Sequence, residues 1–319
     1  MKKTLLQGCC LAAMMGLSVT ANATAPISFD ADGTAVANGT TTVTAFDWAP
    51  GNAILLPNPA PAGGSGQLYI QATLQGFADT GGNPAGAPTG LNTAFEITFV
   101  GGYGETVTPV SPDTVNFGLD SSPIFSNFFE VWYDGTMGAT KSNALSGTGY
   151  NDGTLILSGS IVGNGGAFQI LAPGGIPIIT SAMDAFGTNN YPGIASLVGS
   201  GGTAVDISVA FAHPDFFKTD VTQLVVDLLF NSSQIIPYNQ TNPSALFVGA
   251  AGGGAPTVGG AGSANVPVGS VNGLTSPAIM LQVDPNMAFN VPEPTSLALL
   301  GMGLLGMGAA GIRRRRQVA

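Results

Sequence analysis

Gln67-Leu68-Tyr69-Ile70-Gln71-Ala72-Thr73-Leu74-Gln75 sets the fold class. Leu68, Ile70, Ala72 and Leu74 fall on every second residue, and polar or amphipathic residues fill the positions between them. Side chains alternate across a strand with a period of two, so this stretch reads as a β-strand with one buried face. The same period returns in Phe95, Ile97 and Phe99, in Phe129, Val131 and Tyr133, and in Val205, Ile207, Val209 and Phe211. On that reading Glu96 and Glu130 point to solvated faces. Thr154–Leu157, Gln223–Phe230 and Ala278–Val283 are further expected strands, with weaker ones at Val43–Trp48, Val107–Val110 and Phe168–Leu171. No helical stripe of twelve residues occurs between 26 and 290. Ten or more short strands separated by Gly and Pro turns predict an all-β fold, an antiparallel β-sandwich of which a jelly roll is one form.

Composition agrees. Of 319 residues, 47 are Gly and 22 are Pro, and only 8% are charged, against about 25% in an average domain. That excludes a coiled coil and a charge-rich disordered chain. Eight basic residues against 18 acids leave no basic face for phosphates, so nucleic acid is not an expected partner. The charges are also segregated. Between residues 24 and 292 there are 17 acids and two bases, Lys141 and Lys218, a formal charge of −15.

Met1-Lys2-Lys3 followed by the apolar run Leu11–Val19 has the layout of a secretory signal peptide. Ala21-Asn22-Ala23 and Ala23-Thr24-Ala25 both offer small-x-small cleavage sites. Cutting after Ala25 would place Pro26 at the scissile bond, where it lacks an N–H and has a fixed φ. Cleavage by signal peptidase after Ala23 is therefore expected, with residues 1–23 removed. Cys9 and Cys10 are the only cysteines and leave with that segment. Leu6-Gln7-Gly8-Cys9 has the look of a lipoprotein box, but the apolar stretch follows the cysteine instead of preceding it.

At the other end, Pro294–Ile312 carries no charge, and residues 296–312 are nearly all apolar or small. As a helix, 17 residues span about 25 Å, enough for a thin bilayer crossing. Arg313, Arg314, Arg315 and Arg316 follow at once and favour the cytoplasmic side. Val291-Pro292-Glu293-Pro294 stands just before, and its two prolines impose an extended segment. Pro292-Glu293-Pro294, an apolar helix and a terminal arginine cluster together resemble the PEP-CTERM sorting signal of Gram-negative bacteria, over residues 291–316. The resemblance implies processing by exosortase, a membrane transpeptidase. It also implies export across the inner membrane, a transient anchor there, and a destination at the cell surface or in extracellular matrix. Phe46-Asp47-Trp48-Ala49-Pro50-Gly51-Asn52, Pro237–Ser244 and Asp284-Pro285-Asn286 are similar to stretches of flocculation-associated PEP-CTERM proteins.

The expected organisation is a signal peptide at 1–23, an all-β ectodomain at 24–248, a Gly-rich loop or stalk at 249–276, a last strand and linker at 277–290, and the sorting signal at 291–316. The middle offers little catalytic chemistry. His213 is the one histidine, and no serine sits in Gly-x-Ser-x-Gly. A zinc site needs three or four N or S ligands, which the mature chain cannot supply. Glu96, Glu105 and Glu130 could serve glycoside hydrolysis, which needs only two carboxyl groups, but nothing in the sequence pairs them. Asp30-Ala31-Asp32-Gly33 opens like a calcium loop and lacks its later ligands, so it reads as a turn. Asn38, Asn231 and Asn239 stand in glycosylation sequons. No cofactor, metal or catalytic residue is expected. The reading is a non-enzymatic surface protein, structural or adhesive, with extracellular polysaccharide as a partner. The rival is a carbohydrate-binding module or a glycoside hydrolase, whose exposed aromatics would be Trp132 with Tyr133 or Tyr69.

Overall fold

A computed structural model of the chain describes residues 23–34, 39–57, 64–79, 83–111, 114–137, 141–142, 149–170, 195–196, 199–222, 224–233, 245–247, 265–267 and 279–291. The chain divides into two units, Thr24–Asn290 and Met1–Ala23 with Val291–Ala319. The strands, in chain order, are β1 (Ala23–Thr24), β2 (Ile27–Phe29), β3 (Thr41–Val43), β4 (Ala45–Trp48), β5 (Gly51–Pro57), β6 (Ser65–Ala78), β7 (Pro84–Gly86), β8 (Glu96–Ser111), β9 (Thr114–Asp120), β10 (Phe128–Asp134), β11 (Thr154–Ile170), β12 (Ala195–Ser196), β13 (Gly199–Ala212), β14 (Val225–Ser233), β15 (Ala245–Phe247), β16 (Asn265–Pro267) and β17 (Ile279–Val291). Among the described residues there is no helix, and the all-β antiparallel expectation holds.

The hydrogen-bond ladder closes on itself. β11 pairs with β13, β13 with β14, β14 with β17, and β17 with both β4 and β5. Both of these pair with β6, β6 pairs with β8, and β8 pairs with β9 and β10, which both return to β11. The two faces of a sandwich are thus continuous at both edges, as in a flattened barrel. The principal strands are longer than the sequence suggested. β6, β8, β11, β13 and β17 run 13 to 17 residues, long enough to hold two short partners end to end. Gly51 stands at the hand-over from β4 to β5. A Cβ there would lie 2.0 Å from the Gln71 carbonyl oxygen, so only glycine lets the chain pass so close to β6.

The interior is filled by the apolar residues of the alternating strands, among them Ile70, Leu74, Phe99, Phe129, Ile207 and Leu228, all buried. A ring of about eight staves is just wide enough for side chains to fill it. One end is plugged by the rings of Phe29, Phe46, Phe77, Phe217 and Phe289. The β2–β3 hairpin is held there by the Asp30 N–H donating to the Phe216 carbonyl and the Lys218 N–H to that of Ser28, at 2.8 and 2.9 Å. The other end is where β11 and β14 finish and β13 and β17 begin. β17 is a full member of the ring to Asn290, which pairs with Val225. It takes up the stretch expected to hold a strand and a linker.

One expectation is overturned on the outer surface. Glu96, Thr98, Val100, Glu130, Trp132, Asp134, Tyr69 and Gln71 point outward from β6, β8 and β10, yet all are buried. Ser142 and Tyr150 lie against this face. The Thr98 hydroxyl donates to the Tyr150 carbonyl at 2.8 Å, and the Ser142 and Thr73 hydroxyls are 2.9 Å apart. Val100, Trp132 and Tyr150 make a small second core, with Phe128 and Leu155 against it. Period two placed Glu96 and Glu130 on the correct face but could not tell that the chain returns to cover it.

Candidate functional site

The residues singled out in the sequence are scattered over the chain. Pro292, Glu293, Pro294, the 296–312 span, Arg313 to Arg316, and Ala21 lie outside the described residues, as do Asn38 and Asn239. Ala23 opens β1. His213 follows β13 in the turn before Phe216. Its Nδ1 accepts the Asp215 N–H at 3.3 Å, and its ring meets Phe211 and Phe216 edge-on. Asp30–Gly33 is a turn: Gly33 has φ +65°, and Asp30 is buried with an oxygen 3.8 Å from Lys218 Nζ.

The aromatics that would serve sugar stacking are not available. Trp132 and Tyr69 are 4% and 3% exposed, inside the covered outer face. Tyr133 is half-buried against Phe95 and Phe216. Trp48 is fully buried between Phe46 and Phe99, while Asp47 is opposite Asn286 on the outer side of β4 and β17.

The three glutamates are brought to different places. Glu96 fastens the covering segment: Oε1 accepts the Ser142 N–H and Oε2 the Ser142 hydroxyl, both at 2.6 Å. Burial raises its pKa and those two bonds oppose the rise. Glu130 lies on the same outer face, two positions along β10 from Trp132. Glu105 alone points inward, at the end of the barrel away from the aromatic plug.

There the alternation that fills the barrel meets a polar group. On β8, Phe99, Gly101, Tyr103 and Glu105 succeed one another on the inner face. Glu105 Oε1 accepts the Tyr103 hydroxyl at 3.4 Å and the Asn164 side-chain amide at 3.2 Å. Asn164 reaches it from β11, and its own Oδ1 is buried without a hydrogen-bond partner. Glu105 is 4% exposed. Ala53, Leu68, Ile70, Phe117, Phe168 and Val283 line a small, partly open cavity around it, about 40 Å³ in extent. Burial pushes the Glu105 carboxyl up to about 7, with the Asn164 and Tyr103 bonds pulling the other way. Burial, then the neighbouring Glu105 charge, holds the Tyr103 phenol well above its ordinary range. The sequence named Glu105 but could not pair it, because Asn164 stands in Gly163-Asn164-Gly165-Gly166, between the two expected strands Thr154–Leu157 and Phe168–Leu171, and is the middle of one strand.

The remaining site is the tail. Residues 290–316 match the family model of the PEP-CTERM protein-sorting motif. No curated protein and no solved structure matches the chain. The motif implies export, anchoring through a C-terminal sorting signal, and processing by exosortase. Its match begins at Asn290, the residue at which β17 ends its ladder with β14. The chain is a PEP-CTERM sorting domain-containing protein, with the motif joined directly to the last strand of its barrel.

Proposed function

We propose that the chain is a structural or adhesive component of the cell surface or extracellular matrix of a Gram-negative bacterium, acting in exopolysaccharide, biofilm or floc, without catalytic activity. Signal peptidase removes residues 1–23. The 296–312 helix holds the chain in the inner membrane with Arg313–Arg316 on the cytoplasmic side. Exosortase then acts near Pro292-Glu293-Pro294 and releases the barrel to its place in the polymer. The observation that carries this reading is the sorting motif at 290–316. Two features agree with it. Glu96, Glu105 and Glu130 do not face one another across a cleft, as the two carboxyls of a glycosidase must. The charge of −15 between 24 and 292 suits a soluble, self-repelling unit that divalent cations can bridge to acidic polymer.

Two measurements test the proposal. Mass spectrometry of surface material should find no peptide C-terminal to about residue 295, and an intact Arg313–Arg316 peptide there refutes processing. Deleting the chain should lower floc or biofilm cohesion, with restoration by the full chain but not by one lacking residues 24–290. Unchanged cohesion removes the adhesive role and leaves sorting untouched.

A further inference from the structure

The cavity beside Glu105 has the makings of a site. It is apolar on nearly every wall, it holds one buried carboxyl, and that carboxyl is met by no cation. The two lysines between residues 24 and 292 are engaged elsewhere, Lys141 with the Asn92 carbonyl at 3.0 Å and Lys218 with Asp30. Among the described residues Glu105 receives bonds only on Oε1, from Tyr103 and Asn164. A buried carboxylate without a counter-charge is costly, and so is the buried Asn164 Oδ1 that lacks a donor. A small molecule bringing a cation with several N–H donors supplies the counter-charge that Glu105 lacks. An apolar recess with a few convergent polar groups is the usual form of a small-molecule site.

We propose that this cavity binds a small alkylammonium group, or the primary amine end of a larger molecule, with the Glu105 carboxylate as its counter-ion and the apolar wall around its alkyl chain. The ≈ 40 Å³ of the cavity has room for a few heavy atoms, since one water needs about 10–15 Å³ by a comparable measure. The rest of the ligand would leave by its open side. Binding is linked to protons. Among the described residues Tyr103 on β8 is the other titratable group lining the cavity; β5, β6, β9, β11, β13 and β17 present apolar residues, glycine and Thr203 to it, and Asn164 of β11 meets Glu105 itself. A cation binds ionised Glu105, so affinity should fall about tenfold for each pH unit below about 7. It should level off above that, until the amine itself loses its proton near 10. The proposal stands apart from any role in polymer.

The test uses the purified full chain in lipid nanodiscs and propylammonium as probe, followed by calorimetry at pH 6, 7 and 8, with 1-propanol and propionate as controls of similar size. Saturable binding of propylammonium that strengthens with pH, at least tenfold tighter than propanol, with none for propionate, supports the site. Glu105→Gln keeps the shape of the side chain and should weaken the amine at least tenfold while leaving propanol unchanged. Equal binding of the three probes, no saturable binding, or an unaffected Glu105→Gln variant overturns it. A measurement independent of any variant is the carbon-13 titration of the Glu105 carboxyl. Saturating propylammonium should lower its midpoint by at least one pH unit, and an unmoved midpoint also overturns the proposal.

Discussion

Replacing Phe46 by alanine should destabilise the barrel more than almost any other single change. Phe46 is fully buried, and its ring lies 4.9 Å from that of Phe29, 5.3 Å from Phe77 and Phe289, 6.0 Å from Trp48 and 6.4 Å from Phe217. Burying a phenylalanine and then truncating it costs about 3–5 kcal/mol, and more where neighbours cannot collapse into the gap. Here the five neighbours are rigid rings held on β2, β4, β6, β17 and the turn after β13, so the loss should lie toward the upper end. A domain of this size is stable by about 5–15 kcal/mol, and each kcal/mol lowers Tm by roughly 2–4 °C at 150–250 residues. The expected fall is about 10–20 °C. Urea unfolding followed by tryptophan fluorescence reads it, with an unchanged dependence on urea. Phe211, which is 40% exposed, serves as control: Phe211→Ala should stay within about 0.5 kcal/mol. If Phe46→Ala cost less than about 1 kcal/mol, or no more than Phe211→Ala, the aromatic plug would not be what closes this end of the barrel.

Gly33→Ala should cost at least about 2 kcal/mol by the same assay, since its φ of +65° and a Phe216 ring atom 2.5 Å from the added Cβ both oppose it. Glu96→Ala leaves the Ser142 N–H without its acceptor and its hydroxyl with Thr73 alone; a loss of about 1–3 kcal/mol and faster amide exchange at Ser142 are expected. Unfolding free energy should fall as pH rises from about 4.5 to about 7 and then level. Glu105 keeps its proton longer folded than unfolded, so its contribution is complete below the unfolded value and is lost through the folded one. Urea titrations at pH 5 and 8 should differ by up to about 3 kcal/mol from this group, and Glu105→Gln should remove that difference. Circular dichroism of the released protein should be dominated by strand, and more than about a fifth helix would contradict the ladder.

Inner faces were legible because burial there is decided by the strand's own period. Leu68, Ile70, Ala72 and Leu74 read as one face and are one. Outer faces were not, because whether Glu96 or Trp132 meets water depends on Ser142 and Tyr150, which no local pattern connects to them. β11 was read as two fragments, Thr154–Leu157 and Phe168–Leu171. Gly159, Gly163, Gly165 and Gly166 between them signal turns by composition, whereas in the ladder they pair with β13 and β9. β9 escaped notice because its residues alternate weakly and are only half-buried. The Glu105 site needed Asn164 from that same hidden stretch of β11. The sorting motif was legible, since Pro292, Glu293, Pro294, an apolar run and four arginines are a message carried by order along the chain and need no fold to be read.

Closure of the ring depends on its last strand. β17 sits between β14 on one side and β4 with β5 on the other, and it is the last of the strands to be synthesised. Without it, two long rows of unpaired N–H and C=O groups would face outward, the template from which sheets join between molecules. With it, every principal strand has two neighbours. The first residues also wait for β17, since the Ala25 N–H donates to the Phe289 carbonyl at 2.7 Å. The sorting motif matches from residue 290, so the chain leaves the barrel at the plugged end with no spacer, while the Glu105 cavity lies toward the opposite end of the same strand. A chain cut short before residue 279 therefore loses its tail and its closure together. That arrangement couples the removal of sheet edges to the possession of the sorting motif.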